Sequence, residues 1–275
     1  MPPDIHLSWE DAVAELKRRP EAADLVKACF YDDPLVDAAD RYWQSTEWHA
    51  VRAFLPSSPG AALDIGAGRG IAAYALARDG WHVTALEPDP SSSVGAGAIR
   101  SLARDCSMDI QVVQTWGEEL PFPDAAFDVV HCRQVLHHAR DLSLLCRQIG
   151  RVLKPGGRLI ATREHVITRK QDLPAFLDNH PLHNLYGGEN AYQLRDYVDA
   201  IGAAGIRLDR KLNPMASDIN LFPFSQVEVR ERWAKRLKLP SARWIPKLAL
   251  ALVGARSDAP GRLYTFVGTR VSSHG

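Results

Sequence analysis

From Ala61 onward the chain alternates short apolar runs with helical segments, and this alternation limits the possible folds more than any other feature. AALDI (61–65), HVTALE (82–87), DIQVV (109–113), FDVVHC (127–132) and GRLIATRE (157–164) read as five strands. A helix is expected over 69–79, ending at Gly80, and another from about Leu142 to Leu153. In the latter, Leu142, Leu145, Ile149, Val152 and Leu153 recur at spacings of three and four, which gives one buried face. Such a βαβ series buries a mostly parallel sheet between two helical layers. A helix at about 190–204 and strands at 206–212 and 261–270 continue the pattern.

The remaining segments read as covers. Residues 8–58 are helical: Ser8 caps a helix carrying Val13 and Leu16, Pro20 interrupts it, and a second stretch runs from Asp37 to Leu55. Pro56-Ser-Ser-Pro-Gly60 closes this unit. The expected organisation is a helical cap over 1–56 and a main domain over 57–275, with insertions at about 165–189 and 213–260.

The sharpest local motif is Leu63-Asp-Ile-Gly66-Ala-Gly68-Arg-Gly70, after a strand and opening a helix. Glycines there let the backbone turn tightly and approach a ligand, beside the free N–H groups of the helix start. A dinucleotide site requires G-x-G-x-x-G, but its last position falls on Ile71. Asp64, two residues before Gly66, favours a ligand carrying an ammonium over one carrying phosphates. No Gly-Lys-Ser/Thr follows, which excludes a Walker A loop. Glu87 ends the second strand, where a carboxylate accepts ribose hydroxyls in either class of nucleoside cofactor.

With LDIGAGRG at 63–70, ALEPD at 85–89, EELPFPDAAFDVVHCRQVLHH at 118–138 and RVLKPGGRLI at 151–160, the chain resembles the class I S-adenosylmethionine-dependent methyltransferases. The resemblance implies a Rossmann-like α/β fold: a seven-stranded, mostly parallel sheet with an antiparallel last strand and helices on both faces. It implies S-adenosylmethionine as cofactor and S-adenosylhomocysteine as product. Asp64, Gly66, Ala67 and Gly68 would hold the methionine portion and Glu87 the ribose, with Pro88 near the adenine. The family's adenine-side aspartate is replaced by Trp116, so that contact passes to Trp116 and to the backbone of Gly117 or Glu118. Cys132 and Arg133 would run past the cofactor, and His137 would shape its pocket.

Methyl transfer needs an acceptor held in line with the activated carbon, and a base only where the acceptor carries a proton. His138, which follows the fourth strand, Glu164, which ends the fifth, and His165, which follows it, are the candidate catalytic groups. Arg163, Tyr186 and Glu189, with Tyr42 and Trp43 in a lid, are the candidate acceptor contacts. His137, His138, Glu164, His165, His180 and His183 are all metal-capable, but no H-E-x-x-H or tight Cys/His repeat joins them, so no metal is expected.

The acceptor expected is a small polar molecule, a natural-product or sugar type, methylated on oxygen or nitrogen. A lipid, RNA or protein acceptor, a nicotinamide oxidoreductase and a noncatalytic cofactor-binding domain are the alternatives. Lys plus Arg and Asp plus Glu are both 33 in 275 residues, so no net field draws in nucleic acid. Residues 225–256 hold eight Lys or Arg against two Asp or Glu, which suits a helical pair with a solvated basic face or a membrane-surface contact. Four scattered cysteines and an acidic, weakly apolar start point to a cytoplasmic chain without a signal peptide. The longest apolar stretch is too short to cross a bilayer. The sequence leaves the oligomeric state open.

Overall fold

The structure, a computed structural model, describes residues 7–272. Its strands are β1 (Ala61–Ile65), β2 (His82–Leu86), β3 (Ile110–Val113), β4 (Phe127–Arg133), β5 (Leu153–Ile167), β6 (Tyr192–Gln193), β7 (Ile206–Leu212) and β8 (Arg262–Arg270). They form one sheet in the order β3-β2-β1-β4-β5-β8-β7, with the two-residue β6 paired to the end of β5. Every pairing is parallel except those of β8, which runs antiparallel to both β5 and β7. The seven-stranded, mostly parallel sheet read from the sequence is therefore present.

The N-terminal helices are α1 (Trp9–Arg18), α2 (Ala23–Ala28), α3 (Leu35–Trp43) and α4 (Thr46–Arg52). Between the strands lie α5 (Ile71–Arg78), α6 (Ala96–Asp105), α7 (Leu142–Val152), α8 (Leu173–Asp178), α9 (His183–Tyr186) and α10 (Leu194–Ala203). Before β8 come α11 (Asp218–Leu221), α12 (Gln226–Arg236) and α13 (Lys247–Arg256).

Successive strand residues face opposite layers, as the pleat requires. Leu63, Ile65, Val130 and Cys132 meet Leu145, Ile149 and Val152 of α7 and Tyr197 and Ile201 of α10. Ala62, Val83 and Val129 instead meet Tyr42 and Trp48 from α3 and α4, Leu76 from α5 and Ile99 and Leu102 from α6. Residues of the N-terminal helices thus belong to one apolar layer of the main core.

Three details differ from the sequence reading. The stretch 37–55 is two helices, because the Ser45 hydroxyl accepts the Trp48 N–H and starts α4 anew. Helix α6 was hidden by Gly95 and Gly97, a composition that reads as loop. Both glycines are needed for close packing: a Cβ on Gly95 would overlap the Asp89 carbonyl, and one on Gly97 would lie 2.8 Å from Ser92 Cα. Strand β5 continues to Ile167, since His165 and Val166 pair with β8 and Val166 and Ile167 with β6. Glu164 and His165 therefore lie within the strand, after a bulge at which Arg163 takes φ +61°. The basic segment does form a helical pair, α12 and α13, packed around Ala234, Ile245 and Leu250 with Trp244 and Leu248 exposed.

No helix among the described residues is long and apolar enough to cross a membrane. The four cysteines are unpaired.

Candidate active site

Strand order reverses at β1, which lies between β2 and β4, and open α/β sheets form their ligand crevice at such a reversal. A cavity of about 780 Å³ occupies this place. At one end it is lined by the turn between β1 and α5, by Glu87 and by Trp116 to Glu118. His165, His180 and Glu189 line the other end.

The turn is held from three directions. Gly66 and Gly68 take φ +62° and +54°. A Cβ on Gly66 would lie 2.7 Å from Val135 Cγ2, so the position has neither the conformation nor the room for a side chain. The Gly68 N–H donates to Glu87 Oε2 at 2.7 Å, and the Asp89 N–H donates to Glu87 Oε1 at 3.0 Å. Burial pushes the Glu87 carboxyl up to about 7 despite these two donors. Arg69 reaches away from the cavity floor and donates to the carbonyls of Phe30 (3.0 Å) and Asp32 (2.9 Å) and to Asp33. It thereby fastens the segment after α2 over the turn.

Asp64 is buried, and its Oδ1 accepts from His131 Nδ1 at 2.8 Å. Its Oδ2 has no hydrogen-bond partner among the described residues. A buried carboxylate oxygen without a donor is costly, and its residue lines the cavity. Trp116 stands at the rim with the Arg140 guanidinium 5.0 Å from its ring, and Glu118 accepts the Arg140 N–H at 2.9 Å. Pro88 and Ala67 line the same end.

Arg133 and Arg163 bring two cations to the cavity wall. Arg133 donates through Nε and Nη2 to the fully buried Glu47 at 2.7 and 3.0 Å, a two-pronged pair between β4 and α4. Arg163 Nη1 donates to the carbonyls of Ile219 (2.7 Å) and Phe222 (3.1 Å).

At the far end His137 stands between two carboxylates. Its Nδ1 lies 2.7 Å from Glu164 Oε2, and its Nε2 lies 3.6 Å from Glu189 Oε2. Burial lowers the His137 imidazole, but Glu164 and Glu189 outweigh that and raise it to about 9. His165 donates from Nδ1 to the Gly261 carbonyl at 2.7 Å, and burial holds its pKa down at about 3. The Tyr186 hydroxyl donates to Glu189 Oε1 at 3.0 Å. Burial alone would raise Glu189, yet the surrounding imidazoles of His137, His138 and His180 hold it well below the usual carboxylate range. His138 bonds through Nδ1 to the Gly188 carbonyl at 3.1 Å. Donor atoms of His137, His165 and Glu189 all lie within 4.8 Å of one another.

Sixteen of the sequence-derived candidates thus meet around one cavity: Asp64, Gly66, Ala67, Gly68, Glu87, Pro88, Trp116, Gly117, Glu118, Arg133, His137, His138, Arg163, His165, Tyr186 and Glu189. Four lie off it. Tyr42 is fully buried in the core between Phe30 and Trp48. Trp43 donates its indole N–H to Asp79 at 2.7 Å and packs under Arg52 and Arg78, on the outer side of α3. Cys132 is buried against α7. Glu164 is fully buried, and its oxygens accept the N–H groups of Val135 and His137, both at 3.1 Å, besides the His137 ring. It is a positioning group, with no oxygen left to act on a substrate. The cover is supplied instead by Trp9, Phe30 and Tyr31, which sequence reasoning missed. Arg69 was missed too, although its place inside the glycine turn was a signal. The one marker for Glu189 as a partner of His137 and His165 was the hydrogen-bonding density of 183–192.

Residues 63–161 match the methyltransferase domain family. The chain has a class I methyltransferase fold. The chain is 34% identical over 125 residues to a ubiquinone biosynthesis O-methyltransferase of Xylella fastidiosa, covering 45% of this chain and 47% of that one. It is 37% identical over 128 residues to a glycine/sarcosine/dimethylglycine N-methyltransferase of Actinopolyspora halophila, covering 45% of this chain and 22% of that one. Each match takes in half or less of the relative's length. Among solved structures, geranyl diphosphate C-methyltransferase from Streptomyces coelicolor superposes with a TM-score of 0.61 over 87% of this chain and 85% of that one. At 15% identity that likeness is one of fold.

Proposed function

We propose that this chain transfers the methyl group of S-adenosylmethionine to an oxygen or nitrogen of a small polar acceptor. The observation that carries the reading is a single cavity joining the unpartnered Asp64 Oδ2 and the glycine turn to a cluster of histidines and a carboxylate. Its volume, about 780 Å³, lies within the usual range for sites that bury small ligands.

The residues at the turn end fit the cofactor. Asp64 Oδ2 would accept from the amino-acid ammonium, relieving an oxygen that no described residue satisfies. Gly66 to Gly68 would let the backbone lie close to the methionine portion, and Glu87 would accept the ribose hydroxyls. Trp116, Pro88 and the backbone of Gly117 and Glu118 would receive the adenine, with Arg133 and His137 bordering the sulfur side. The bound cofactor supplies a methyl group already activated on a sulfonium.

The chain's own work is to orient the acceptor and exclude water. Trp9, Phe30 and Tyr31 line the cavity from the N-terminal side, which supports a capping role for the part of 1–56 that precedes α3, whereas α3 and α4 pack into the core of the 57–275 domain. Arg163, Tyr186 and Glu189 supply polar contacts on the acceptor side. His165 is held neutral by burial and keeps a lone pair on Nε2, which can accept a hydrogen bond from a hydroxyl acceptor and orient it. The curated relatives, by name an O-methyltransferase and an N-methyltransferase, support the two acceptor atoms. Four unpaired cysteines suit a cytoplasmic setting.

Calorimetric titration of the chain with S-adenosylhomocysteine, S-adenosylmethionine and NAD tests the cofactor. Micromolar binding of the first two is expected, and NAD binding without them would overturn the reading. Mass spectrometry of acceptor pools incubated with methyl-labelled S-adenosylmethionine then identifies the methylated atom.

A further inference from the structure

We propose that His137, His165 and Glu189 bind a divalent first-row transition-metal ion, zinc foremost, at the acceptor end of the cavity. The inference goes beyond methyl transfer and does not depend on it; a bound ion takes the Nε2 lone pair of His165, which then holds the metal in place of a direct contact with the acceptor.

The first ground is convergence. The three donor atoms lie within 4.8 Å of one another, on side chains from three separate stretches of chain. His137 Nε2 and Glu189 Oε2 are 3.6 Å apart, too long for a hydrogen bond. That separation is close to the roughly 3.3 Å between two ligands placed about 2.0–2.1 Å from a tetrahedral ion.

The second ground is that each side chain is aimed by its own outer partner. Glu164 holds Nδ1 of His137 at 2.7 Å, the Gly261 carbonyl holds Nδ1 of His165 at 2.7 Å, and the Tyr186 hydroxyl holds Oε1 of Glu189 at 3.0 Å. Both imidazoles are thereby committed through Nδ1, which leaves Nε2 as the coordinating atom of each. Protein metal sites are supported in this way, histidines by a carboxylate or carbonyl and carboxylates by a hydrogen bond.

Two imidazoles with one carboxylate favour zinc, or iron, cobalt and nickel in the divalent state, over calcium and magnesium, which prefer oxygen ligands. Three protein ligands leave a coordination position free. All three residues line the cavity, so that position would take an oxygen of a hydroxyl or carboxylate on the acceptor. The competing occupant is a proton on His137 Nε2, balancing Glu189 across the same gap.

The test uses the full chain, stripped with a chelator, dialysed and titrated with cobalt(II). One equivalent should bind with ligand-field absorption in the visible range, and zinc should displace it. Glu189→Gln, which keeps the side chain's shape, and His165→Ala should each weaken cobalt binding at least about tenfold with an unchanged circular dichroism spectrum. Glu164→Gln should weaken it by roughly 10–100-fold through the outer contact. Absence of stoichiometric uptake, or equal uptake by the Glu189 and His165 variants, overturns the site. S-adenosylhomocysteine binding is measured on the same stripped protein. Cofactor binding without cobalt uptake removes the metal site alone, and cobalt uptake without cofactor binding removes methyl transfer alone.

Discussion

The carboxylate of Glu164 accepts the Nδ1 proton of His137 at 2.7 Å and, from the same position on β5, the backbone N–H groups of Val135 and His137. One buried side chain therefore fixes the turn that leaves β4. Removing it strands three donors in a dry interior. Glu164→Ala should lower stability by about 3–5 kcal/mol, the range for breaking a buried pair on one side. Urea denaturation followed by tryptophan fluorescence reads this out, and an unchanged midpoint would contradict the role.

With the ribose placed on Glu87 as proposed, cofactor binding should depend on pH. Burial raises its folded pKa to about 7, above the 4.5 of an exposed glutamate. Its contribution to stability is therefore fully present below the unfolded value and lost as pH rises through the folded one. Binding should have the opposite sign, because ribose hydroxyls placed there would donate to the ionised carboxylate. S-adenosylhomocysteine affinity should rise between about pH 6 and about pH 8, by up to about tenfold per unit below the pKa. Glu87→Gln should bind more weakly and flatten this dependence in calorimetric titrations.

Gly66 and Gly68 have different tasks although both take positive φ. At Gly66 a Cβ collides with Val135, so Gly66→Ala should displace the turn after β4 and destabilise the fold by more than the roughly 1–2 kcal/mol of left-handed strain. At Gly68 a Cβ meets nothing nearer than the Val94 carbonyl at 4.0 Å, and the residue lines the cavity. Gly68→Val should fold at a modestly reduced Tm yet fail to bind S-adenosylhomocysteine. Unchanged affinity in the folded variant would move the cofactor elsewhere.

The pair between Glu47 and Arg133 ties α4 to the cavity wall. With Glu47 replaced by alanine, Arg133 is left with its charge unpaired, and Arg163 loses the carboxylate 3.9 Å away. Glu47→Ala should cost about 3–5 kcal/mol. Thermal and urea unfolding check this. A loss under about 1 kcal/mol would mean that solvent reaches the guanidinium groups.

The parts of the site legible in the sequence are those whose chemistry is written in a contiguous stretch. The glycine turn needs small residues at fixed offsets, and Glu87 follows an apolar run of defined length, so both could be placed by number. What could not be read is the direction a side chain takes once its strand is built. Glu164 and His165 are adjacent on β5, so they face opposite sides; one holds backbone amides, and the other lines the cavity. Tyr42 and Trp43 were candidates for a lid because aromatics cluster there, but α3 turns one into the core and the other toward Asp79. Glu189 sits about fifty residues from His137, and only the insertion's path back over β5 brings them together. The same limit hid α6, whose glycines serve close packing against 89–92 and read in sequence as a loop.

His165 offers the clearest separation between chemistry and binding. Its Nδ1 is committed to the Gly261 carbonyl, and burial keeps the ring neutral down to about pH 3, so its Nε2 lone pair is available throughout the working range. It stands at the opposite end of the cavity from Asp64 and the glycine turn. His165→Ala should therefore reduce kcat by roughly 10²-fold, the scale of misplacing a reactant by about an ångström. S-adenosylhomocysteine affinity should change by less than about threefold, under 1 kcal/mol. Because the ring does not titrate near neutrality, the wild-type rate should show no limb from His165 between about pH 5 and about pH 8. Equal turnover in the variant would leave the residue a structural one, and a matching loss of cofactor affinity would place it on the wrong side of the cavity.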